Sequence, residues 1–186
     1  MQKTELFDCL EQNPVIAAIS DDKWEDALIS PVEVLFYLSA NLLTVAERIK
    51  EAHGCGKYVL VHLDLAEGIG RDRAGIRYLA QVGVDGLIST RAQSIQLAKE
   101  QGLITVQRFF LLDSKGIESI GEMLRHTTPH FMELMPGVIS KSIRRFSNSG
   151  TPVIAGGLIE TKAELMEALG CGATAVSTGR KELWYL

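Results

Sequence analysis

Cysteine is scarce in this chain: Cys9, Cys55 and Cys171 are the three among 186 residues. They are widely spaced, odd in number and form no CxxC pair. That excludes a disulfide framework and a cysteine-based zinc site, and leaves three small thiols in a reducing compartment. Long apolar runs are missing too. Stretches such as residues 34–38 fall far short of the ~18–20 residues that span a bilayer. The opening Met1-Gln-Lys-Thr-Glu-Leu-Phe-Asp carries acids early and no apolar segment, so no secretory leader is expected. There is no excess of positive charge. The formal net charge is −4, so a global pull on nucleic acid is excluded and any such contact must come from a local patch. Charge blocks and low-complexity tracts are absent. With 46% hydrophobic and 23% charged residues, the chain reads as one folded domain over residues 1–186, and disorder of the whole is ruled out.

What is present is a regular alternation. Short, mostly apolar runs begin near Val15, Glu33, Lys57, Val84, Leu103, His130, Thr151 and Ala173. Continuous apolar character suits strands covered on both faces. The segments 42–53, 71–82, 92–101, 117–127, 138–147 and 162–169 repeat apolar residues at helical spacing. Gly54, Gly83, Gly102, Gly150 and Gly170 follow helical runs as stops. Asp21, Asn41, Asp72, Asp113 or Ser114, and Thr161 stand where caps are needed. Strand-helix alternation implies parallel pairing through right-handed crossovers. Eight units predict an α/β fold, a compact TIM (β/α)8 barrel with minimal loops. An open doubly wound sheet stays open, although no GxGxxG follows the first strand. Barrels usually need about 250 residues. Here seven strand-to-strand intervals cover the 158 positions from Val15 to Ala173, about 23 per unit, which fits a barrel without inserted loops. Residues 4–12 place Leu6, Phe7 and Leu10 on one face, as a short N-terminal helix plugging the barrel bottom.

Barrel chemistry gathers at the C-terminal strand ends, and phosphate sites recur in the loops after strands 7 and 8. Here those loops carry Gly156 and Gly157, then Ser177, Thr178 and Gly179 before a short final helix at 180–184. Glycine amides, hydroxyls and a helix N-terminus together suit a phosphate; tight capped turns are the plainer reading. Asp64, Arg108 and Glu133 sit across the mouth, where carboxylates suit hydroxyls and Arg108 suits an anion. Lys141 adds a nearby charge. His62 reads as a satisfied structural histidine facing away from Asp64. No lysine falls at an expected strand end to form a Schiff base, but the carboxylates leave acid–base chemistry open. Basic residues cluster at Arg71, Arg73 and Arg77, at Lys141, Arg144 and Arg145, and at Arg180 and Lys181. Each cluster reads first as a solvated helix face; Arg144, Arg145, Arg180 and Lys181 are the candidates for a local patch that could touch nucleic acid.

Several segments together resemble the glycerol-3-phosphate-responsive antiterminator family, the glycerol uptake operon antiterminators. They are His62-Leu63-Asp64-Leu65-Ala66-Glu67-Gly68, Ile88-Ser89-Thr90, Gln107 to Ser114 (QRFFLLDS), Glu133-Leu134-Met135-Pro136-Gly137, Pro152 to Ile159 (PVIAGGLI) and Ala175-Val176-Ser177-Thr178. Asn13 to Ala18 (NPVIAA) matches as well. Two positions depart from the family pattern: Arg91 replaces a lysine with charge kept, and Gly179 replaces a serine, losing a hydroxyl but keeping the amide. The resemblance implies a cytoplasmic bacterial regulator that senses glycerol 3-phosphate and acts on leader mRNA of glycerol-utilisation genes. It needs no cofactor; its effector is the small phosphorylated ligand, and a homo-oligomer is left open. On this reading phosphate lies on Gly156, Gly157, Ser177, Thr178 and Gly179. The glycerol hydroxyls then face Asp64, Glu133 or Arg108. The alternative is a TIM-barrel enzyme of isomerase or aldolase type acting on a small phosphorylated metabolite.

Overall fold

The structure is a computed structural model that describes residues 3–186. Met1 and Gln2, the start of the segment read as lacking a leader, lie outside the described residues, as does the side chain of the alternative cap Ser114. Eight parallel strands close into one barrel in sequence order, β1 (Val15–Ile19), β2 (Val34–Tyr37), β3 (Tyr58–His62), β4 (Gly86–Ser89), β5 (Ile104–Phe110), β6 (Phe131–Met135), β7 (Val153–Gly156) and β8 (Ala175–Thr178). Closure comes where β1 pairs with β8, Ile16 beside Ser177. The open sheet is thereby excluded.

α1 (Lys3–Gln12) precedes the first strand, and helices fill the seven crossovers: α2 (Trp24–Ile29), α3 (Val45–Gly54), α4 (Arg73–Gln81), α5 (Ala92–Glu100), α6 (Ser114–Thr127), α7 (Ser140–Phe146) and α8 (Lys162–Gly170). Local chemistry explains their starts. Asp72 accepts from the Gly75 amide and Asp113 from the Gly116 amide, and Thr161 with Glu164 forms a full capping box. Asn41 behaves differently from the expected cap. Its Oδ1 accepts from the Leu43 amide at 2.9 Å, an Asx turn that competes with the helix, so α3 begins at Val45. Asp21 likewise opens a 3₁₀ turn, Asp21–Lys23, ahead of α2.

Two apolar layers result. Inward side chains Ile16, Val34, Phe36, Leu60, Ile88, Ile104, Val106, Phe131, Ile154 and Ala175 form the barrel interior, with Leu6 and Leu10 of α1 among them. Phe7 stacks on Phe131 at 4.7 Å, so the N-terminal helix closes the bottom as its pattern predicts. Outward strand residues pack under the helices, around the fully buried Trp24 and Trp184. With the bottom closed and the lower interior apolar, the polar interior is confined to the C-terminal strand ends.

Candidate functional site

Above the apolar layers the barrel turns polar. Arg108 and Glu133 are partners in the β5–β6 register, and Arg108 Nε donates to Glu133 Oε2 at 2.6 Å. Ser177 Oγ donates to Glu133 Oε1, also at 2.6 Å. Gly156 makes this possible: a Cβ there would run into Glu133 Oε1 and stand 2.6 Å from Ser177 Oγ. A buried carboxylate held by a guanidinium and a hydroxyl is fully compensated, which is what burial demands.

This polar layer floors a cavity of about 520 Å³. Its walls include Ala18 of β1 and Lys23 beyond it, Leu38 after β2, Met135 at the end of β6, the loop Gly157–Glu160 after β7, Thr178 at the end of β8 and the segment Gly179–Glu182 that follows. Gly157 has φ +74° and Leu158 has φ +59°, two successive left-handed residues on the rim. A non-glycine residue there is uncommon, and such strain gathers at functional sites.

Of the residues expected to bind phosphate, Gly157, Ser177, Thr178 and Gly179 line the cavity, and Gly156 lies behind Ser177 as the spacer just described. The two hydroxyls are engaged. Ser177 donates to Glu133, while Thr178 Oγ1 donates to the Ile159 carbonyl and accepts from the Arg180 amide. They shape the wall. The final helix is a 3₁₀ segment, Lys181–Tyr185, with too few aligned peptides for a macrodipole of the α-helical kind. The anion-attracting dipole expected there is therefore minor.

Arg108 and Glu133 line the cavity as expected. Asp64 does not join them. Its carboxylate accepts from Ser89 Oγ at 2.8 Å, the Thr90 amide at 2.7 Å and Thr90 Oγ1 at 2.8 Å. Burial pushes the carboxyl up, but the Thr90 amide and the two hydroxyls outweigh it and hold it below its ordinary range. Asp64 thus ties the turn after β3 to the end of β4. Lys141 is exposed on α7, away from the cavity, with Arg144 and Arg145 on the same helix. Arg180 and Lys181 stand at the cavity instead, paired with Glu160 and Asp26.

His62 corrects the sequence expectation. It shares strand parity with Leu60 and so faces the interior. It is 3% exposed, and neither ring nitrogen meets a partner among the described residues. Burial, then the Arg108 guanidinium, bring its pKa down to about 4. Residues two apart in a strand share a face, so alternation gave no ground for turning His62 away from Asp64; the strand in any case ends at His62, and Leu63–Leu65 form a 3₁₀ turn. Lys23 is the residue sequence reasoning missed. The strand-end survey stopped at Asp21, and a 3₁₀ turn carries Lys23 back over the mouth, where Nζ donates to the Gly179 carbonyl at 2.8 Å.

The architecture and this cavity define the class: a (β/α)8 barrel open at the C-terminal ends of its strands. Within it, residues 15–184 match the profile of the glycerol-3-phosphate responsive antiterminators, and the chain belongs to that family. It is 32% identical over 184 residues to the Escherichia coli K12 protein called uncharacterized protein YgcP, covering 97% of this chain and 96% of that one. The crystal structure of a glycerol uptake operon antiterminator regulatory protein from Listeria monocytogenes superposes with a TM-score of 0.88 at 32% identity, over 92% of this chain and 95% of the other. A glycerol uptake operon antiterminator-related protein from Thermotoga maritima gives 0.83 at 32% identity, over 91% and 96%. A putative deoxyribose-phosphate aldolase from Coccidioides immitis, at 12% identity, with a TM-score of 0.69 and coverage of 96% and 94%, shares the fold alone. Among the described residues no helix is long and apolar enough to cross a membrane, and no group of three or more His, Cys, Asp or Glu is placed to hold a metal.

Proposed function

We propose that this protein is a cytoplasmic regulator that binds glycerol 3-phosphate in the strand-end cavity and, so loaded, engages leader mRNA of glycerol-utilisation genes to prevent termination. One observation carries the ligand reading. A cavity rimmed by the Gly157 and Gly179 turns and by Lys23 has a floor of Arg108, Glu133 and Ser177. That combination suits one anionic end and one hydroxyl-bearing end. The regulatory reading draws on the family and on the names of the Listeria and Thermotoga relatives. The Glu133 carboxylate is already held by Arg108 and Ser177, which favours recognition over proton transfer. For RNA, the outer face of α7 fits best. Lys141, Arg144 and Arg145 project at i, i+3 and i+4 from a helix without an acid, whereas Arg180 and Lys181 are paired with carboxylates.

A mobility-shift assay with leader RNA, with and without glycerol 3-phosphate, tests the output. Ligand-dependent binding is expected, and no binding in either condition would sink that half. A thermal-shift panel tests the input. A ligand at ~100 times its Kd stabilises by roughly 2.7 kcal/mol, expected for glycerol 3-phosphate and not for glycerol. Turnover of a triose or pentose phosphate, lost on changing Glu133, would install the enzyme reading in its place.

A further inference from the structure

Four cations reach the cavity: Lys23, Arg108, Arg180 and Lys181. Three of them face carboxylates. Arg108 is on Glu133, Arg180 on Glu160 and Lys181 on Asp26. Lys23 is the exception among the described residues, because the partner of its ammonium is a neutral carbonyl, that of Gly179. An ammonium has three hydrogens, so a single carbonyl leaves two for further acceptors.

The surroundings leave room for such an acceptor. A Cβ on Gly179 would stand 3.5 Å from Lys23 Nζ and 3.3 Å from the Ala18 carbonyl, so the glycine keeps the flank of the ammonium open. The backbone that presents Lys23 is fixed. The Lys23 amide donates to the Ser20 carbonyl at 3.1 Å, the Asp21 amide to Ser39 Oγ at 3.1 Å, and Tyr37 Oη to Asp21 Oδ1 at 2.7 Å. The floor of the cavity carries Glu133. Its negative charge is balanced by Arg108, so it accepts from hydroxyls but offers nothing to a second anion.

We propose that Lys23 is the phosphate-reading cation of this site. The bound ligand stands with its phosphate at the seam between β1 and β8 and its uncharged hydroxyl tail on the Glu133 floor. The site therefore takes small phosphomonoesters of polyols and rejects those ending in a carboxylate. The assignment rests on the reading of the cavity as a ligand site and adds to it the orientation, the charge partner and the selectivity.

Calorimetric titration of the full chain with glycerol 3-phosphate, inorganic phosphate, glycerol and 3-phosphoglycerate tests it. Wild type should bind glycerol 3-phosphate well, inorganic phosphate weakly, and the other two not at all. Lys23→Met should lose at least tenfold in affinity for glycerol 3-phosphate and all response to inorganic phosphate. Lys23→Arg should recover part of both. Arg180→Gln should lose less than Lys23→Met. Ligand-free melting of each variant reports folding. Gly179→Val, which keeps Lys23 but fills its flank, provides an independent check and should weaken binding as well. Wild-type affinity in Lys23→Met, or equal losses in Lys23→Met and Arg180→Gln, would overturn the assignment. Tight binding of 3-phosphoglycerate would overturn the orientation. Should wild type bind inorganic phosphate through Lys23 yet ignore glycerol 3-phosphate, the assignment stands and the glycerol 3-phosphate reading falls. Should it bind neither, both fall.

Discussion

Arg108 and Glu133 meet inside the barrel with Nε 2.6 Å from Oε2, and their side chains are 8% and 1% exposed. They come from facing positions of β5 and β6, so the ladder itself sets their approach. Removing one member leaves a buried charge without its counter-ion, which costs about 3–5 kcal/mol. Glu133→Ala is expected to lose that much in urea unfolding. The double variant Arg108→Met, Glu133→Leu should lose clearly less than the sum of the single changes. An additive result would show that the two charges do not depend on each other.

Gly156 is the spacer of the same layer. Alanine would force a methyl against Glu133 Oε1 and Ser177 Oγ. Overpacking of this kind costs about 1–3 kcal/mol. Gly156→Ala should be destabilised within that range, and adding Ser177→Ala should recover part of the loss. Chemical denaturation of the pair decides it; full stability in Gly156→Ala would remove the steric account.

Gly157 stands on the rim at φ +74°. A side chain in the left-handed region costs about 1–2 kcal/mol, which a closed barrel of this size tolerates. Gly157→Glu also adds a carboxylate to the rim of the cavity that is proposed to take the phosphate. The variant is expected to fold with a modestly lowered Tm and to show no further rise on adding glycerol 3-phosphate. A wild-type rise would move the phosphate elsewhere.

His62 makes the fold acid-sensitive. Its folded pKa is about 4 against an ordinary value of 6.5. As pH falls below 6.5 the unfolded chain takes up the proton first, so the equilibrium shifts toward unfolding. The contribution is complete above pH 6.5 and is lost progressively to about pH 4, on the order of 3 kcal/mol in all. Asp64, also held low, acts in the same direction but below its ordinary 3.8. Stability measured across pH 4–7 should fall on acidification in wild type and much less in His62→Gln. Parallel curves would show that His62 titrates alike in both states.

The barrel was legible in the chain because its causes are local. Apolar runs covered on both sides, glycine stops and the Thr161 capping box mark eight strand–helix units, and short-range sterics make their crossovers right-handed. Leu6 and Leu10 announced the plug through spacing alone. The site was legible only as a location, the loops after β7 and β8 together with Arg108 and Glu133. Which groups remain available there depends on partners remote along the chain. Asp64 is occupied by Ser89 and Thr90, 25 and 26 positions on. The Lys23 ammonium meets the carbonyl of Gly179, 156 positions away, because closure of the barrel brings the first and last units side by side. Periodicity therefore settled the architecture, while the charge state and partners of each side chain were decided by tertiary proximity and burial. Hydrogen bonding and desolvation act through space, and no spacing along a sequence encodes them.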